Sequence, residues 1–472
     1  MGTKVSWKNP AIVRLVALFY TWLHRPVSIA PLVTLRVVMG GMLLFSTLRF
    51  WAMGWIEDHY LSPVFHFKYY GLEWIAALPA WAMYGLHVLM ALSALGVMLG
   101  LYYRLSALVL CLTFTYTELI DLTYYLNHYY FVSIALLLLV FAPANRRFSI
   151  DALHNPLLRG ESVPQWAVGM FKLQLAIVYL YAGFWKINDA WLWHALPLKI
   201  WVPAADGLPL IGPLMAWSAT PWLFSWAGML YDTTIVGWLS WRKTRLVAYL
   251  TVVFFHGITG LMFQIGVFPL VMIGSTLVFF SAAWHQKWQQ AFGAGLLKIW
   301  PRYANPSEIS TQNHHRPASP VFIALLVAHF CFQLVFPWRY LLYPGNVFWT
   351  EEGYRFSWRV MLMEKAGTAT FYVRDALTGR EGEVINREFL NAHQEKQMAM
   401  QPDMILQFAH FLSDHYQKKG VTQPSVRAEV FVTLNGKPSR QLIDPTVDLT
   451  KIRDGWSPKT WILKEDAAPP KQ

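Results

Sequence analysis

Four side chains with proton-transfer or hydrogen-bonding chemistry stand inside or beside strongly apolar runs. Lys186 closes the run "YLYAGFWK", Asn127 and His128 begin another, and His256 lies within a third. A lysine in apolar surroundings is a candidate base, because burial disfavours its cation. An imidazole within a hydrophobic run is costly unless it has a partner, so His256 indicates a polar site.

Each of these residues also has a plain structural interpretation. A lysine at the end of a membrane helix usually extends to the lipid headgroups, and a histidine among tyrosines usually belongs to the aromatic belt. Asp232, in another apolar run, is predicted to pair within the bundle with a partner that the sequence does not identify. The residues alone therefore favour an outward-facing apolar cavity with a neutral lysine and two histidines. Such a cavity would suit an aromatic or quinone ligand, in either an enzyme or a carrier.

Composition indicates which class of protein must position these residues. The chain has 472 residues, of which 55% are hydrophobic and 14% charged, and it contains 24 Trp, 22 Tyr and 30 Phe. This usage is typical of a polytopic membrane protein. The formal charge of +12 is spread over short loops between apolar runs, which argues against a nucleic-acid partner. Cys111 and Cys331 lie within apolar runs and are predicted to be packing residues, with no disulfide framework or zinc site.

Nine apolar runs are long enough to cross a bilayer as helices. They are 29–51, 81–103, 105–125, 126–143, 166–185, 222–241, 247–263, 265–283 and 321–337. With the N-terminus inside, the cytoplasmic segments contain fifteen Lys and Arg residues and the outer loops three, which fits the positive-inside rule. An odd number of spans places the region after Pro337 outside the cytoplasm. Lys186, Asn127, His128 and His256 then share the outer half of the bilayer.

The region 338–472 is predicted to be a separate extracytoplasmic domain that follows a transmembrane domain, 1–337. "TATFYVRDALTGREGEVI" predicts two strands around a Thr-Gly turn, and "AEVFVTLNGKPSRQLI" predicts a hairpin with Asn435-Gly436 at its turn. "DMILQFAHFLSDHYQKK" has helical spacing behind an Asp N-cap. The predicted fold class is therefore a polytopic α-helical membrane protein with about nine spans and a C-terminal extracytoplasmic α+β domain.

Several segments, taken in order, resemble the vitamin K-dependent gamma-glutamyl carboxylases. "LNHYY" is similar to the family's Asn-His pair, "YLYAGFWKINDAW" to its Ala-Gly-x-x-Lys segment, and "FFHGITGLMFQIGVFPLVM" to its histidine-containing span. "WTEEGYRFSWRVMLM" resembles the segment that leads into the exported domain, and "RDALTGREG" with "LIDPTVDLTKIRDGWSP" resemble the end of the catalytic region. The resemblance extends from about residue 28 to about residue 460.

The resemblance implies roles for residues of the membrane region. Lys186 matches the family lysine that is taken to deprotonate vitamin K hydroquinone. Trp185, beside it, is expected to contribute to the cofactor site and to the burial of the amine. Asn127 and His128 match the pair near the quinone.

The resemblance also implies roles nearer the exported domain. His256 matches a site histidine, and Tyr354 and Trp358 match residues at the junction where the glutamate substrate and the quinone would meet. The implied partners are a glutamate-containing peptide and membrane lipid. No metal is implied.

The implied activity is that of a carboxylase of the carbon–carbon lyase class, coupled to vitamin K epoxidation. No side chain is basic enough to remove a proton from the γ-carbon of glutamate. In the implied mechanism the hydroquinone reacts with O2 to supply the strong base, becomes the epoxide, and leaves a carbanion to which CO2 adds. Because water would quench such species, an apolar site sealed by aromatic residues is required.

Two features depart from the family pattern and leave alternatives open. Trp185-Lys186 stands where the family often has two adjacent lysines, and the exported region is shorter than in animal members. The compact chain suggests a bacterial relative in the inner membrane, with its N-terminus in the cytoplasm. Three hypotheses follow: a glutamyl carboxylase, a quinol epoxidase without carboxylation, and a membrane lipid or quinone carrier.

Overall fold

The computed structural model describes residues 10–209, 211–263, 265–299 and 317–465, with side chains from residue 13 onward and without those of 292–299. Up to residue 350 the described chain is mainly α-helical. Its helices are α1 (Pro10–Leu23), α2 (Ala30–Ala52), α3 (Ala80–Leu99), α4 (Tyr103–Glu118), α5 (Asn127–Phe141), α6 (Ile150–His154), α7 (Gln165–Phe184), α8 (Asp189–Leu192), α9 (Leu198–Trp201), α10 (Gly212–Ala216), α11 (Thr220–Ser240), α12 (Arg245–Met262), α13 (Phe268–Thr276), α14 (Ala282–Ile299), α15 (Pro320–Val335) and α16 (Val347–Thr350).

Five of these helices are long and apolar enough to cross a membrane: α2, α3, α7, α12, and α15 with the 3-10 turn that extends it to Leu342. The number is six when the pair Phe268–Phe279 and Ala282–Ala291, bent by 117°, is taken as one broken span. The predicted nine spans are therefore reduced to five or six within the described ranges. The helices α4 and α5 have only 16 and 15 residues, and the polar side chains of α11 lower its hydropathy although it has 21 residues.

The C-terminal region folds as the predicted α+β domain. Its sheet contains β3 (Lys365–Arg374), β4 (Glu381–Val384), β5 (Ser425–Leu434) and β6 (Arg440–Gln441), antiparallel in the order β4-β3-β5-β6, with helices α17 (Ala392–Met398) and α18 (Pro402–Lys418). A separate two-stranded sheet pairs β1 (Pro26–Ser28) with β2 (Ser162–Pro164) in the helical region. The domain boundary at residue 337 stays a prediction.

Both predicted hairpins of this domain are confirmed. β3 pairs with β4, and β5 pairs with β6 through a turn in which Asn435 and Gly436 have φ of 53° and 74°, as a tight hairpin turn requires. The helix α18 is confirmed, but its predicted Asp N-cap is wrong. The N-cap is Gln401, and Pro402 is at the first helical position. The Asp403 side chain instead forms an ion pair with Arg355.

The C-terminal domain shares its hydrophobic core with loops of the helical region. Phe67 and Leu122, from the loops after α2 and α4, are buried in the same cluster as the sheet, and the Leu122 amide donates to the Phe67 carbonyl at 2.8 Å. Gln394 of α17 donates to Asp121 Oδ2 at 2.7 Å. The outer loops of the helical region therefore pack against the C-terminal domain and contribute to its core.

The two cysteines differ in solvent exposure. Both thiols are free; Cys111 is buried, as predicted for a packing residue, whereas Cys331 is exposed on α15. The packing prediction is therefore wrong for Cys331, because an apolar run in a membrane helix also has a face that points away from the protein.

Candidate functional site

An almost wholly apolar cavity of about 310 Å³ lies among α5, α7, α11, α12, α13 and the chain segment that leads into the C-terminal domain. Five of the seven predicted site residues line it: Lys186, Asn127, His128, His256 and Trp358. The sequence separates these residues by up to 231 positions, so only the tertiary fold brings them together. A cavity of this size and polarity fits a flat aromatic ligand with few polar groups.

Lys186 lies just beyond the end of α7 and is 5% exposed. Its Nζ donates to Asp232 Oδ2 at 2.8 Å and to the Ala182 carbonyl at 3.2 Å, and it lies 5.2 Å from the centre of the Trp191 ring. Asp232 thus has the buried partner that the sequence did not identify. The expectation of a neutral amine was based on burial alone, whereas the structure adds a buried carboxyl group as the direct partner of the amine.

The residues after the lysine fold back over it. Asn188 caps the short helix α8 by accepting from the Trp191 amide at 3.0 Å, and its own amide donates to the Trp185 carbonyl at 2.8 Å. The Trp191 indole donates to the Ser225 carbonyl of α11 at 2.9 Å. The sequence "INDAW" therefore forms a capped turn that holds an aromatic face against the Lys186 amine.

Asn127 connects the cavity to the segment that enters the C-terminal domain. Its amide nitrogen donates to the Arg359 carbonyl at 2.8 Å, and its amide oxygen accepts from the Tyr125 hydroxyl at 3.1 Å. The same hydroxyl accepts from the Phe356 amide at 2.8 Å. Asn127 and Tyr125 therefore fix the position of the wall formed by residues 356–361.

Trp358 is the fully buried anchor of that wall. Its ring stacks on Tyr130 with centroids 4.8 Å apart. Phe356, Trp358 and Met361 all have positive φ, of 57°, 57° and 53°. Bulky residues rarely adopt this conformation, and clusters of it occur where a precise local shape is required. The backbone between the helical region and the C-terminal domain is thus bent to present Trp358 to the cavity.

Three buried polar atoms of the cavity residues have no hydrogen-bond partner among the described residues: His128 Nε2, His256 Nδ1 and Trp358 Nε1. The other ring nitrogen of His256 lies 3.1 Å from the Tyr179 hydroxyl, which orients the imidazole. Unpaired buried polar groups are costly, so their occurrence in one cavity points to a ligand with hydrogen-bonding groups.

Two predicted cofactor residues do not line this cavity. Trp185 points to the other side of α7, where its indole donates to the Ser357 carbonyl at 2.7 Å and the Arg359 guanidinium lies 3.8 Å from the ring centre. Tyr354 lies in a different, polar pocket. The sequence around Lys186 could not predict that Trp185 points away from the cavity, because adjacent residues at a helix end project in different directions.

The polar pocket has a volume of about 300 Å³ and lies on the C-terminal-domain side of the segment that includes Tyr354. Two ion pairs involve residues that line it: Arg355 pairs with Asp403 at 2.5 Å and Lys365 with Glu351 at 2.9 Å. Burial alone would raise the pKa of the Asp403 carboxyl, but the Arg355 guanidinium outweighs that effect and holds the pKa below its ordinary value. This pocket and the apolar cavity are therefore adjacent sites of opposite character.

Family comparisons agree with this two-part arrangement. Residues 24–284, more than half of the chain, match the family model of the HTTM domain, and residues 318–468 match that of the vitamin K-dependent gamma-carboxylase, lumenal domain. No solved structure matches the chain. The molecule is an integral membrane protein whose C-terminal α+β domain is lumenal.

Proposed function

Because the chain belongs to the vitamin K-dependent gamma-carboxylase family, we propose that it oxygenates vitamin K hydroquinone to the epoxide and carboxylates glutamate side chains of a peptide with CO2. The observation that carries this proposal is that Lys186, Asn127, His128, His256 and Trp358 line one and the same apolar cavity. The adjacent lumenal domain would present the peptide from the aqueous side.

The residues of the cavity fit a reduced naphthoquinone. Its walls are mainly aliphatic and aromatic, as a fused ring system requires. The unpaired nitrogens of His128, His256 and Trp358 offer hydrogen bonds to ring oxygens. When bound, the hydroquinone would supply with O2 the strong base that no side chain provides.

The protein's own contribution is to hold a proton acceptor and to exclude water. The buried pair Lys186 and Asp232 lies at the lumenal end of α7, where a ligand hydroxyl can be deprotonated. Trp191 covers the amine, and Trp358 closes the cavity toward the lumenal domain. A dry site strengthens these electrostatic interactions and protects reactive species from hydrolysis.

The polar pocket supports a route for the glutamate substrate. Tyr354 and Arg355 line it, while Trp358, a few residues later, lines the apolar cavity. A glutamate side chain that enters on the polar side would thus reach the cavity along the 354–358 segment. Tyr354 would act there in substrate positioning and Trp358 at the boundary with the quinone.

The experiment that tests this proposal uses purified protein in lipid nanodiscs with reduced vitamin K, O2, labelled CO2 and a glutamate-rich peptide. Incorporation of label together with epoxide formation is the expected result. Epoxide without label would select the quinol epoxidase, and binding of the quinone without either product would select the carrier. Protein in which Lys186 is replaced by alanine serves as the control for background oxidation.

A further inference from the structure

A further cavity, of about 750 Å³, lies at the end of the helical region that is remote from the lumenal domain. Trp166, at the start of α7, lines it, whereas Lys186 lies just beyond the other end of this 20-residue helix. A helix of that length is about 30 Å long, which is the thickness of the hydrocarbon core of a bilayer. The cavity therefore lies near the membrane surface opposite the lumen, apart from both pockets described above.

Two guanidinium groups from different segments line this cavity. Arg104, in the first turn of α4, is exposed, and its Nη1 donates to the Val140 carbonyl at 3.3 Å. Arg146 lies in the loop after α5, where its Nε donates to the Leu158 carbonyl at 3.3 Å. An arginine side chain has five N–H donors, so the hydrogen bond of Arg104 leaves others that can reach an anion.

The carboxylate of Asp151, which also lines the cavity, organises the backbone beside these arginines. Its Oδ1 accepts from the Tyr102 amide at 2.7 Å, and its Oδ2 accepts from the Tyr103 amide at 3.0 Å and from the Asn145 side chain at 2.8 Å. The first amides of α4 are thus already satisfied, so the arginines are the donors that remain for an anion. Two arginines and one carboxylate give the lining residues a net charge of +1.

The same cavity has an apolar side that is exposed on the protein surface. Leu105 of α4 and Phe141 of α5 line it and are 62% and 43% exposed. Trp166 is buried beside them, and its indole Nε1 has no hydrogen-bond partner among the residues that the structure describes. Exposed apolar side chains next to arginines and a tryptophan are typical of the boundary between lipid chains and headgroups.

We propose that this cavity binds a membrane phospholipid whose headgroup has a net charge of −1, carried by its phosphodiester. Arg104 and Arg146 donate to the phosphate oxygens, and the acyl chains lie along Leu105 and Phe141. The planar fork of arginine matches the geometry of phosphate oxygens, and one phosphodiester charge balances the net charge of the lining residues. The proposal is independent of the proposed function, because the site is at the opposite end of α7 from the apolar cavity.

The test compares two lipids with identical acyl chains, dioleoylphosphatidylglycerol and dioleoylphosphatidylcholine, by native mass spectrometry of the full chain in detergent. We expect one phosphatidylglycerol to bind at least about tenfold more tightly than phosphatidylcholine. The double variant Arg104→Gln/Arg146→Gln should lose at least about tenfold in affinity for phosphatidylglycerol, since a hydrogen bond to a charged group contributes about a factor of ten or more.

The matched control is Arg242→Gln/Lys243→Gln, which removes two positive charges from exposed positions just after α11 and outside the cavity. This variant should bind phosphatidylglycerol as the wild type does. Equal losses in the two double variants, or equal affinities of the wild type for the two lipids, would overturn the proposal. Displacement of the bound phosphatidylglycerol by excess inorganic phosphate would identify a site for a soluble anion and would overturn the assignment to a lipid.

A second measurement uses only the wild type. Phosphatidylglycerol with a photoreactive headgroup is added to the protein in phosphatidylcholine nanodiscs, and the labelled peptides are identified by mass spectrometry. Labelling should fall on the segments 102–105 and 143–158, and excess unlabelled phosphatidylglycerol should suppress it. Labelling that occurs only elsewhere, or that this competitor does not reduce, contradicts the proposal even if the variant with both cavity arginines replaced fails to fold.

Discussion

The α-carbon of Gly183 lies directly against the backbone of Thr233, so that a Cβ at this position would be 2.6 Å from the Thr233 nitrogen. Gly183 is in the last turn of α7 and Thr233 follows Asp232 on α11. The close approach of these two helices is what brings Lys186 within 2.8 Å of the Asp232 carboxylate. Glycine is therefore needed here for packing, three residues before the amine that depends on it.

Gly183→Ala is expected to separate α7 from α11 and to weaken the Lys186 and Asp232 pair. Overpacking of a close contact costs about 1–3 kcal/mol, and the contact here is with backbone that cannot move aside easily. Both thermal stability and epoxide formation should fall. Gly169→Ala is the matched control: it lies in the same helix, and its Cβ would meet nothing within 4 Å. Equal behaviour of the two variants would contradict this account.

The sequence singled out the lysine and the two histidines of the cavity for a simple physical reason. Polar and ionisable groups inside apolar runs are costly, so Lys186, His128 and His256 are conspicuous in a chain of this composition. The partner of Asp232 could not be predicted, because the pair joins residues 46 positions apart and depends on how two helices pack. Trp185 shows the converse: it is adjacent to Lys186 in sequence, yet its ring does not line the cavity.

The number of spans was the less predictable part of the fold. Hydropathy detects apolar runs, but α4, α5 and α13 are shortened by turns that the runs do not reveal. The hairpins of the lumenal domain were predictable because their turn residues are specific, as at Asn435-Gly436. The ion pair of Asp403 was not predictable, because its partner Arg355 is 48 positions away in the sequence.

Lys186→Ala is expected to reduce epoxide formation by at least about a hundredfold, the size of effect typical of a group that acts in proton transfer. The substitution also leaves Asp232 buried without a partner, which costs about 3–5 kcal/mol in comparable pairs. Epoxide yield by chromatography and thermal unfolding in detergent are measured on the same preparation.

The double variant Lys186→Met/Asp232→Leu separates these two effects. Replacing both members of a buried pair by apolar residues is often neutral for stability, so unfolding should return toward the wild-type temperature. Epoxide formation should stay lost. If the double variant forms the epoxide, the ion pair has no part in the reaction.

The stability of the protein is expected to fall in mild acid because of His59, which lies in the segment between α2 and α3 and stacks on Tyr124. Burial lowers the pKa of His59 to about 4 from an ordinary value of 6.5, with a smaller contribution from nearby His393. Between about pH 6.5 and pH 4 the unfolded chain therefore binds a proton that the folded chain does not, and stability is lost as the pH falls through this window. Burial also lowers the pKa of His66, so the effect of His59 is partial.

His59→Phe tests this expectation while keeping the ring contact with Tyr124, whose centroid lies 4.1 Å away. Thermal unfolding is followed from pH 7 to pH 4. The variant should lose less stability than the wild type over this range, and His154→Phe, at an exposed position, should retain the wild-type profile. Identical slopes for wild type and His59→Phe would remove His59 as a cause.

Tyr125→Phe is expected to weaken the wall between the two pockets. The hydroxyl donates to Asn127 and accepts from the Phe356 amide, so its loss leaves a buried amide unpaired, at a cost of about 1–3 kcal/mol. The KM for the glutamate peptide should rise at saturating hydroquinone. Tyr84→Phe serves as the control, since the Tyr84 hydroxyl makes no hydrogen bond among the described residues. An unchanged KM and unfolding temperature would show that the hydroxyl is dispensable.

Val178→Phe tests the cavity without altering any group that carries or binds a proton. Val178 is 7% exposed and lines the cavity from α7, so a larger ring there occupies space that the quinone needs. Binding of a reduced naphthoquinone, measured by equilibrium partition into nanodiscs without O2, should weaken by about tenfold or more, which corresponds to about 1.4 kcal/mol. Leu180→Phe, two residues further on the same helix and 48% exposed, adds a similar ring outside the cavity and should bind as the wild type does. Equal affinity of both variants would mean that the quinone binds somewhere other than in this cavity.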